Sequence, residues 1–363
     1  MRKNIQKFFW SCSSGGGGAA RIPIDGPSRL MSNHILHRNQ ERASALTTAA
    51  VFMFPGQSSV GPEAVTRARR AHPAAEDVAV RARAVLGNQR ASEYLDADGA
   101  SLRNNRDVQI TVFLATQMYL AAMHAEGIRA SGSFGLSLGE YSHLVHIDAL
   151  DLEAALRLVD ERGRCYDEAP PGIMATVLAI DHDTVADVVT RASAHGPIVI
   201  SNFNAPTQHV IAGTEAAVAW AATMLEDEHA AHVTIIERRV PMHSPLMAKV
   251  AQAFEPALAR APWSATSRPY LPNVTAAPIA RATAADFVAH LTRHVSEPVL
   301  WQQSVECLVA AHPGATFIEV GPGGVLHNMM GRAWRGTRRA RVDAPDGITP
   351  PEHFAATVEA LRA

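Results

Sequence analysis

Gly135-Leu136-Ser137-Leu138-Gly139-Glu140 sets a serine between two glycines, directly after a short apolar run and before a helix-like segment. That is the pattern of a nucleophile elbow, a strand-to-helix turn so sharp that the flanking positions tolerate little beyond glycine. Such a turn lifts the serine hydroxyl clear of the sheet above a helix N-terminus. Ser137 is therefore the candidate covalent nucleophile. A hydroxyl attacks poorly at neutral pH and needs an imidazole to take its proton. Among seventeen histidines, His243 stands out, because Val240-Pro241-Met242-His243-Ser244-Pro245 fixes it between two prolines at the end of an expected strand. No acidic residue occupies an obvious third-member position, which leaves a backbone carbonyl to orient the ring. Each signal alone is equally compatible with an ordinary turn or a solvated loop histidine.

Strands and helices must bring these distant residues together. Val51-Phe52-Met53-Phe54, stopped by Pro55-Gly56, reads as a buried strand entering a loop. An Arg- and Ala-rich helical stretch follows, then an apolar helix over Val108 to Ala122 and a short strand over Ala130 to Phe134. Helices over Tyr141 to Val145 and Leu152 to Arg164 complete an alternating α/β layer. From Ala175 to about Arg239 the order of expected elements is β-α-β-β-α-β, the ferredoxin-like split motif, inserted into the larger α/β domain. Beyond Ser244 the pattern predicts a helix, a strand near Tyr270 to Val274, helices over Thr283 to Thr292 and Leu300 to Ala311, and a buried strand over Thr316 to Val320. The expected organisation is a leader over 1–48, a large domain from 49–174 and 241–345, a small domain from 175–240, and a C-terminal helix within 346–363.

Bulk properties exclude several function classes. The 363 residues are 47% hydrophobic and 19% charged, as in ordinary globular proteins, and the formal net charge of -2 leaves no broad electrostatic footprint for nucleic acid or an anionic membrane. Any anionic substrate must be held by local cations. Cys12, Cys165 and Cys307 are too few and too scattered for a disulfide framework or a zinc site, so a reducing, cytoplasmic location and no metal are expected. No apolar stretch reaches the roughly 20 residues a spanning helix needs. Residues 1 to about 42 combine basic residues with the glycine run Gly15 to Gly18 and read as a disordered leader. The apolar core Phe8-Phe9-Trp10 is too short for an export signal.

Six segments then stand in a familiar order: Phe54-Pro55-Gly56-Gln57-Ser58, the elbow, Arg162-Gly163, Asn202-Phe203-Asn204-Ala205-Pro206, His243-Ser244-Pro245 and Glu319-Val320-Gly321-Pro322-Gly323. Together they resemble the malonyl-CoA:acyl-carrier-protein transacylases and the acyltransferase domains of polyketide synthases, over about Val51 to Asp343. The resemblance implies an α/β-hydrolase-like large domain with a ferredoxin-like insert. It also implies that Ser137 carries the acyl group as an ester while His243 acts as general base and then general acid. The histidine is oriented by a main-chain carbonyl in Ser296 to Trp301, assigned to Leu300. Backbone N–H groups of Gln57 and Leu138 form the oxyanion hole, Gln109 and Asn204 line the substrate pocket, and Arg162 grips the free carboxylate of a malonyl group. Two positions depart from the family: Leu136 stands where histidine is usual, and Met242 where phenylalanine or serine marks the better-known variants. Malonyl-CoA or a related acyl-CoA and an acyl carrier protein are the implied partners, with no metal or redox cofactor. No ketosynthase or carrier segment is present, so the carrier is expected in trans, in polyketide assembly. A housekeeping fatty-acid transacylase, a hydrolase of stalled acyl groups and a non-catalytic docking scaffold stay open. Exposed-looking Arg332, Arg335, Arg338 and Arg339 suit either an acidic carrier or plain solvation.

Overall fold

A computed structural model describes residues 49–57, 61–96 and 102–363; the 1–48 leader, Cys12 and Ser58 lie outside the described residues. The first strand, β1 (Ala50–Phe54), is buried at all five positions. Its alternation feeds two cores: Phe52 and Phe54 face one side, with Phe113 and Tyr119, while Val51 and Met53 face the other, with Phe134, Trp301 and Phe317. Four helices follow, α1 (Ala64–Ala71), α2 (Ala75–Leu86), α3 (Asn88–Leu95) and α4 (Asn105–Ala125), then β2 (Gly132–Gly135), α5 (Gly139–His146) and α6 (Leu152–Asp167). Asn104 caps α4 and Asp151 caps α6, each side chain accepting from the backbone N–H three residues on.

The chain then leaves for a second sheet: β3 (Ile173–Leu178), α7 (His182–Ala192), β4 (Ile198–Ala205), β5 (Gln208–Gly213), α8 (Glu215–His229) and β6 (His232–Glu237). It returns through α9 (Ala248–Arg260), α10 (Ala284–Ser296), α11 (Trp301–Ala311), β7 (Thr316–Glu319), α12 (Val325–Ala333), β8 (Arg338–Arg341) and α13 (Pro350–Arg362). One sheet is parallel with order β2-β1-β7-β8; the other is antiparallel with order β4-β5-β3-β6. The second order is that of a split β-α-β-β-α-β unit, with α7 and α8 packed on one face through Val185, Val188, Val218 and Leu225. Its first strand opens at Ile173, two residues ahead of the expected Ala175.

Register explains where chemistry can gather. Phe54 pairs with Gly135 and Met53 with Glu319, so the carboxyl ends of β1, β2 and β7 share one edge. The loops leaving that edge begin at Pro55, Leu136 and Val320, and in open α/β sheets this is where ligands bind. The antiparallel sheet is fastened there too: Phe203 N–H donates to the Val299 carbonyl and Val299 N–H to the Ser201 carbonyl, both at 2.9 Å. The expected strand over Tyr270 to Val274 is absent. Tyr270 makes a single bridge with Ile279, because Pro272 lacks an N–H and the remaining polar groups of the segment serve the elbow instead.

Candidate active site

The elbow forms because three backbones crowd into one corner. A Cβ on Gly135 would lie 2.0 Å from the Gly139 carbonyl carbon, and one on Gly139 would lie 2.1 Å from the Phe54 carbonyl oxygen. Only glycine fits at either end. Between them Ser137 takes φ 51°, a left-handed conformation costing about 1–2 kcal/mol. That strain is held by Asn273, whose Oδ1 accepts from the Ser137 N–H and whose Nδ2 donates to the Gly135 carbonyl, both at 2.8 Å.

Ser137 Oγ lies 2.7 Å from His243 Nε2, although 106 residues separate them in sequence. The other ring nitrogen, Nδ1, donates to the carbonyl oxygen of His294 at 2.7 Å. This corrects the expected Leu300. Leu300 instead caps α11, its carbonyl accepting from Ser304 N–H and Oγ while its N–H donates to the Asn273 carbonyl. The physical reason lies four residues beyond His294, where Pro298 offers no N–H to continue the helix ladder. The His294 carbonyl in the last turn of α10 is thereby left for the imidazole. His294 also stacks its ring on His243 at 4.9 Å between centroids.

Burial holds the His243 imidazole neutral, pushing its pKa down to about 3 with help from the nearby Arg162 charge and against the stabilising His294 carbonyl. A neutral base is what proton abstraction from Ser137 requires. Arg162 is itself 1% exposed. Its Nη1 donates to Gln109 Oε1 at 2.8 Å, its Nη2 lies 3.5 Å from Ser137 Oγ, and its guanidinium rests 4.2 Å over the Tyr166 ring. Among the described residues no carboxylate forms an ion pair with it.

A cavity of about 400 Å³ opens above the dyad, lined by Gln57, Leu136, Ser137, Asn204, Met242 and His243 among others. The expected pocket residues Leu136, Asn204 and Met242 are thus brought together, while Arg162 and Gln109 lie below its floor and reach it through Ser137. Asn204 Oδ1 and Gln109 Nε2 are buried without a partner among the described residues, so each keeps hydrogen-bonding capacity near the serine. Gln57 sits in the turn after β1, where a Cβ on Gly56 would lie 3.0 Å from the Leu136 carbonyl. Its side chain is tied down by donating to Asn105 Oδ1 at 3.1 Å.

Sequence reasoning missed the layer behind the dyad. Glu140, the last residue of the elbow motif, is completely buried. Its Oε1 accepts from the Tyr270 hydroxyl, its Oε2 accepts from the Asn273 N–H at 3.3 Å, and Oε2 also lies 3.1 Å from His294 Nδ1. Burial pushes the Glu140 carboxyl up to about 8, against its hydrogen bonds and Arg162, and burial likewise holds His294 well below the usual histidine range. At neutral pH the two are uncharged partners, with the carboxyl O–H donating to Nδ1, and not an ion pair. Among the described residues no cluster of three or more His, Cys, Asp or Glu is placed to hold a metal ion.

This arrangement is an activated serine with an oriented base and a buried cation beside it, on the edge of a parallel sheet. Residues 34–349 match the acyl transferase domain family. The chain belongs to that family. Among similar proteins, the malonyl CoA-acyl carrier protein transacylase of Bacillus subtilis strain 168 is 30% identical over 305 residues, covering 82% of this chain and 94% of that protein. The acyl-carrier-protein S-malonyltransferase structure from Burkholderia pseudomallei superposes with a TM-score of 0.77 at 29% identity, over 87% of this acyltransferase and all of that chain. A malonyl-transacylase solved in complex with its type II polyketide-synthase acyl-carrier protein gives 0.78 at 25% identity, over 86% of this chain and all of that one. The two-sheet α/β architecture of this acyltransferase is that of these neighbours.

Proposed function

We propose that this acyltransferase moves a malonyl-type group from coenzyme A to the phosphopantetheine thiol of an acyl carrier protein. The observation that carries the reading is the 2.7 Å contact between Ser137 Oγ and His243 Nε2, with the buried Arg162 guanidinium 3.5 Å from the same oxygen. Neutral His243 takes the serine proton as Oγ attacks the thioester carbonyl. The tetrahedral oxyanion is received by the backbone N–H groups of Gln57 and Leu138, two preorganised donors worth several kcal/mol where charge develops. Protonated His243, its Nδ1 held by the His294 carbonyl, gives its proton to the departing thiolate. The carrier thiol then reverses the sequence on the seryl ester. A malonyl ester on Ser137 carries its free carboxylate only a few bonds beyond Oγ, within reach of Arg162.

Acyl transfer of this kind balances without a metal or redox cofactor. The carrier arrives as a separate protein, and polyketide assembly is the preferred setting, supported by the likeness to the polyketide transacylase solved with its carrier and by the apolar Leu136 in the pocket wall. Arg332, Arg335, Arg338 and Arg339 are exposed along α12 and β8, and Arg332 hydrogen-bonds Gln208 at the cavity wall, which suits them to an acidic carrier. The cytoplasm is the compartment that keeps the free thiols Cys165 and Cys307 reduced, and among the described residues no helix is long and apolar enough to cross a membrane.

Incubation with a panel of acyl-CoAs, read by intact mass, tests the reading. A malonyl-type adduct should form on Ser137 and move to added carrier. Arg162→Ala should abolish malonyl loading. Preferential loading of simple acyl groups, or loss of the adduct to water in the presence of carrier, would replace the reading with a hydrolase.

A further inference from the structure

The dyad has no acidic third member touching the base, yet a carboxyl is buried one layer behind both of its halves. Glu140 Oε2 meets two groups at once. One is the N–H of Asn273, whose side chain clamps the elbow at Gly135 and Ser137. The other is Nδ1 of His294, whose carbonyl holds His243 and whose ring stacks on it. Tyr270 fixes the remaining oxygen. Glu140 itself starts the helix that follows the elbow, so it moves with the nucleophile.

We infer that Glu140 is a positioning residue that locks the base-holding end of α10 to the nucleophile-holding elbow, and so sets the Ser137–His243 contact. Neither neighbour could do this alone. Asn273 reaches only the elbow, and His294 reaches only the base. A helix end and a loop that drift independently would lengthen the 2.7 Å contact, and a misplacement of about 1 Å at a reacting centre can cost on the order of a hundredfold in rate. The carboxyl needs no charge for this task, since one O–H donor and one acceptor oxygen satisfy His294 and Tyr270. Glutamine at 140 supplies the same pair, with Nε2–H donating to Nδ1 and Oε1 accepting from the Tyr270 hydroxyl.

The inference rests on the Ser–His reading of the site but not on which acyl group is carried. The test therefore uses a fluorophosphonate probe, which reports the reactivity of Ser137 whatever the natural substrate. Full-length protein is labelled below its melting temperature, the rate is followed by intact mass, and malonyl-CoA kinetics are measured in parallel. Glu140→Ala and His294→Ala should each slow labelling by tenfold or more, with kcat falling and KM little changed. Glu140→Gln should restore labelling to within about threefold of wild type. The double variant Glu140→Ala/His294→Ala should be hardly slower than either single, because both remove one connection. Wild-type labelling rates in both alanine variants, whatever their melting temperatures, would overturn the inference, as would a Gln variant as slow as the Ala variant. Should Glu140→Ala not fold, His294→Ala and Glu140→Gln decide it by the same criteria. Wild type that labels rapidly yet takes no malonyl group would sink the substrate assignment and leave this inference standing.

Discussion

At Ser137 the backbone and the chemistry make opposite demands. The left-handed φ that exposes the hydroxyl is unfavourable for any residue with a Cβ. Ser137→Gly and Ser137→Ala both delete the nucleophile and its hydrogen bond, but only glycine relieves the strain. Ser137→Gly should therefore be more stable than Ser137→Ala by about 1 kcal/mol, measured by urea denaturation. Asn273 carries the matching cost on the other side of the elbow. Asn273→Ala leaves the buried Gly135 carbonyl and Ser137 N–H without partners, so a stability loss of about 1–3 kcal/mol is expected, together with a fall in kcat. The equally unusual φ of 58° at His243 shows that the base, too, is held in place by its surroundings.

The elements supply the geometry that single residues cannot. Parallel pairing of β1 with β2 and β7 brings three loops to one edge, and the two glycines let α5 start against the end of β1. The end of α10 is the less obvious device. Its ladder is interrupted at Pro298, which frees the His294 carbonyl for the imidazole. Pro298→Ala would restore an N–H that competes for that carbonyl. The acylation rate should then fall by roughly tenfold, a fraction of the 10²–10⁴ that general-base catalysis contributes, while Ser137 remains able to accept an acyl group. Unchanged single-turnover kinetics would refute the competition. Alanine at Gly139 should be far worse, since its Cβ would sit on the Phe54 carbonyl, and loss of folded protein is the expected readout.

For the whole molecule, buried neutral histidines set the response to acid. Burial pushes His124 down to about 4, His143 and His243 to about 3, and His146 to about 2. Each binds its proton in the unfolded chain near the ordinary pKa of about 6.5 but not in the folded one. Stability is therefore full above pH 6.5 and falls as pH drops from there towards 4–2, where the native state finally takes up the protons. Each such histidine contributes a slope of up to about 1.4 kcal/mol per pH unit in that window. Melting temperature should decline below pH 6.5, and His146→Phe, at a site packed against Phe52 and Phe54, should shallow the decline. An unchanged slope would remove His146 from the account.

The sequence alone determined the parts of this protein that depend on local backbone physics. Glycines 135 and 139 announce an elbow because no other residue fits its turn, the strand ahead of Pro55 is legible as an unbroken apolar run, and the β-α-β-β-α-β order is legible as a succession of local periods. Ser137, His243, Arg162 and Gln109 could be named from such signals and from family likeness. What tertiary structure decided is which distant groups meet. The bend at 270–274 read as a strand from its apolar residues, but Pro272 and the demands of the elbow override that propensity. The histidine's acceptor fell on His294 and not Leu300 because a free carbonyl is a property of the helix end and of Pro298. Glu140 was in plain view beside the nucleophile, yet its role stayed hidden, because a buried carboxyl acquires meaning only from the three segments that close over it. Pairings across 51 to 136 residues are set by packing of whole elements, and no local period encodes them.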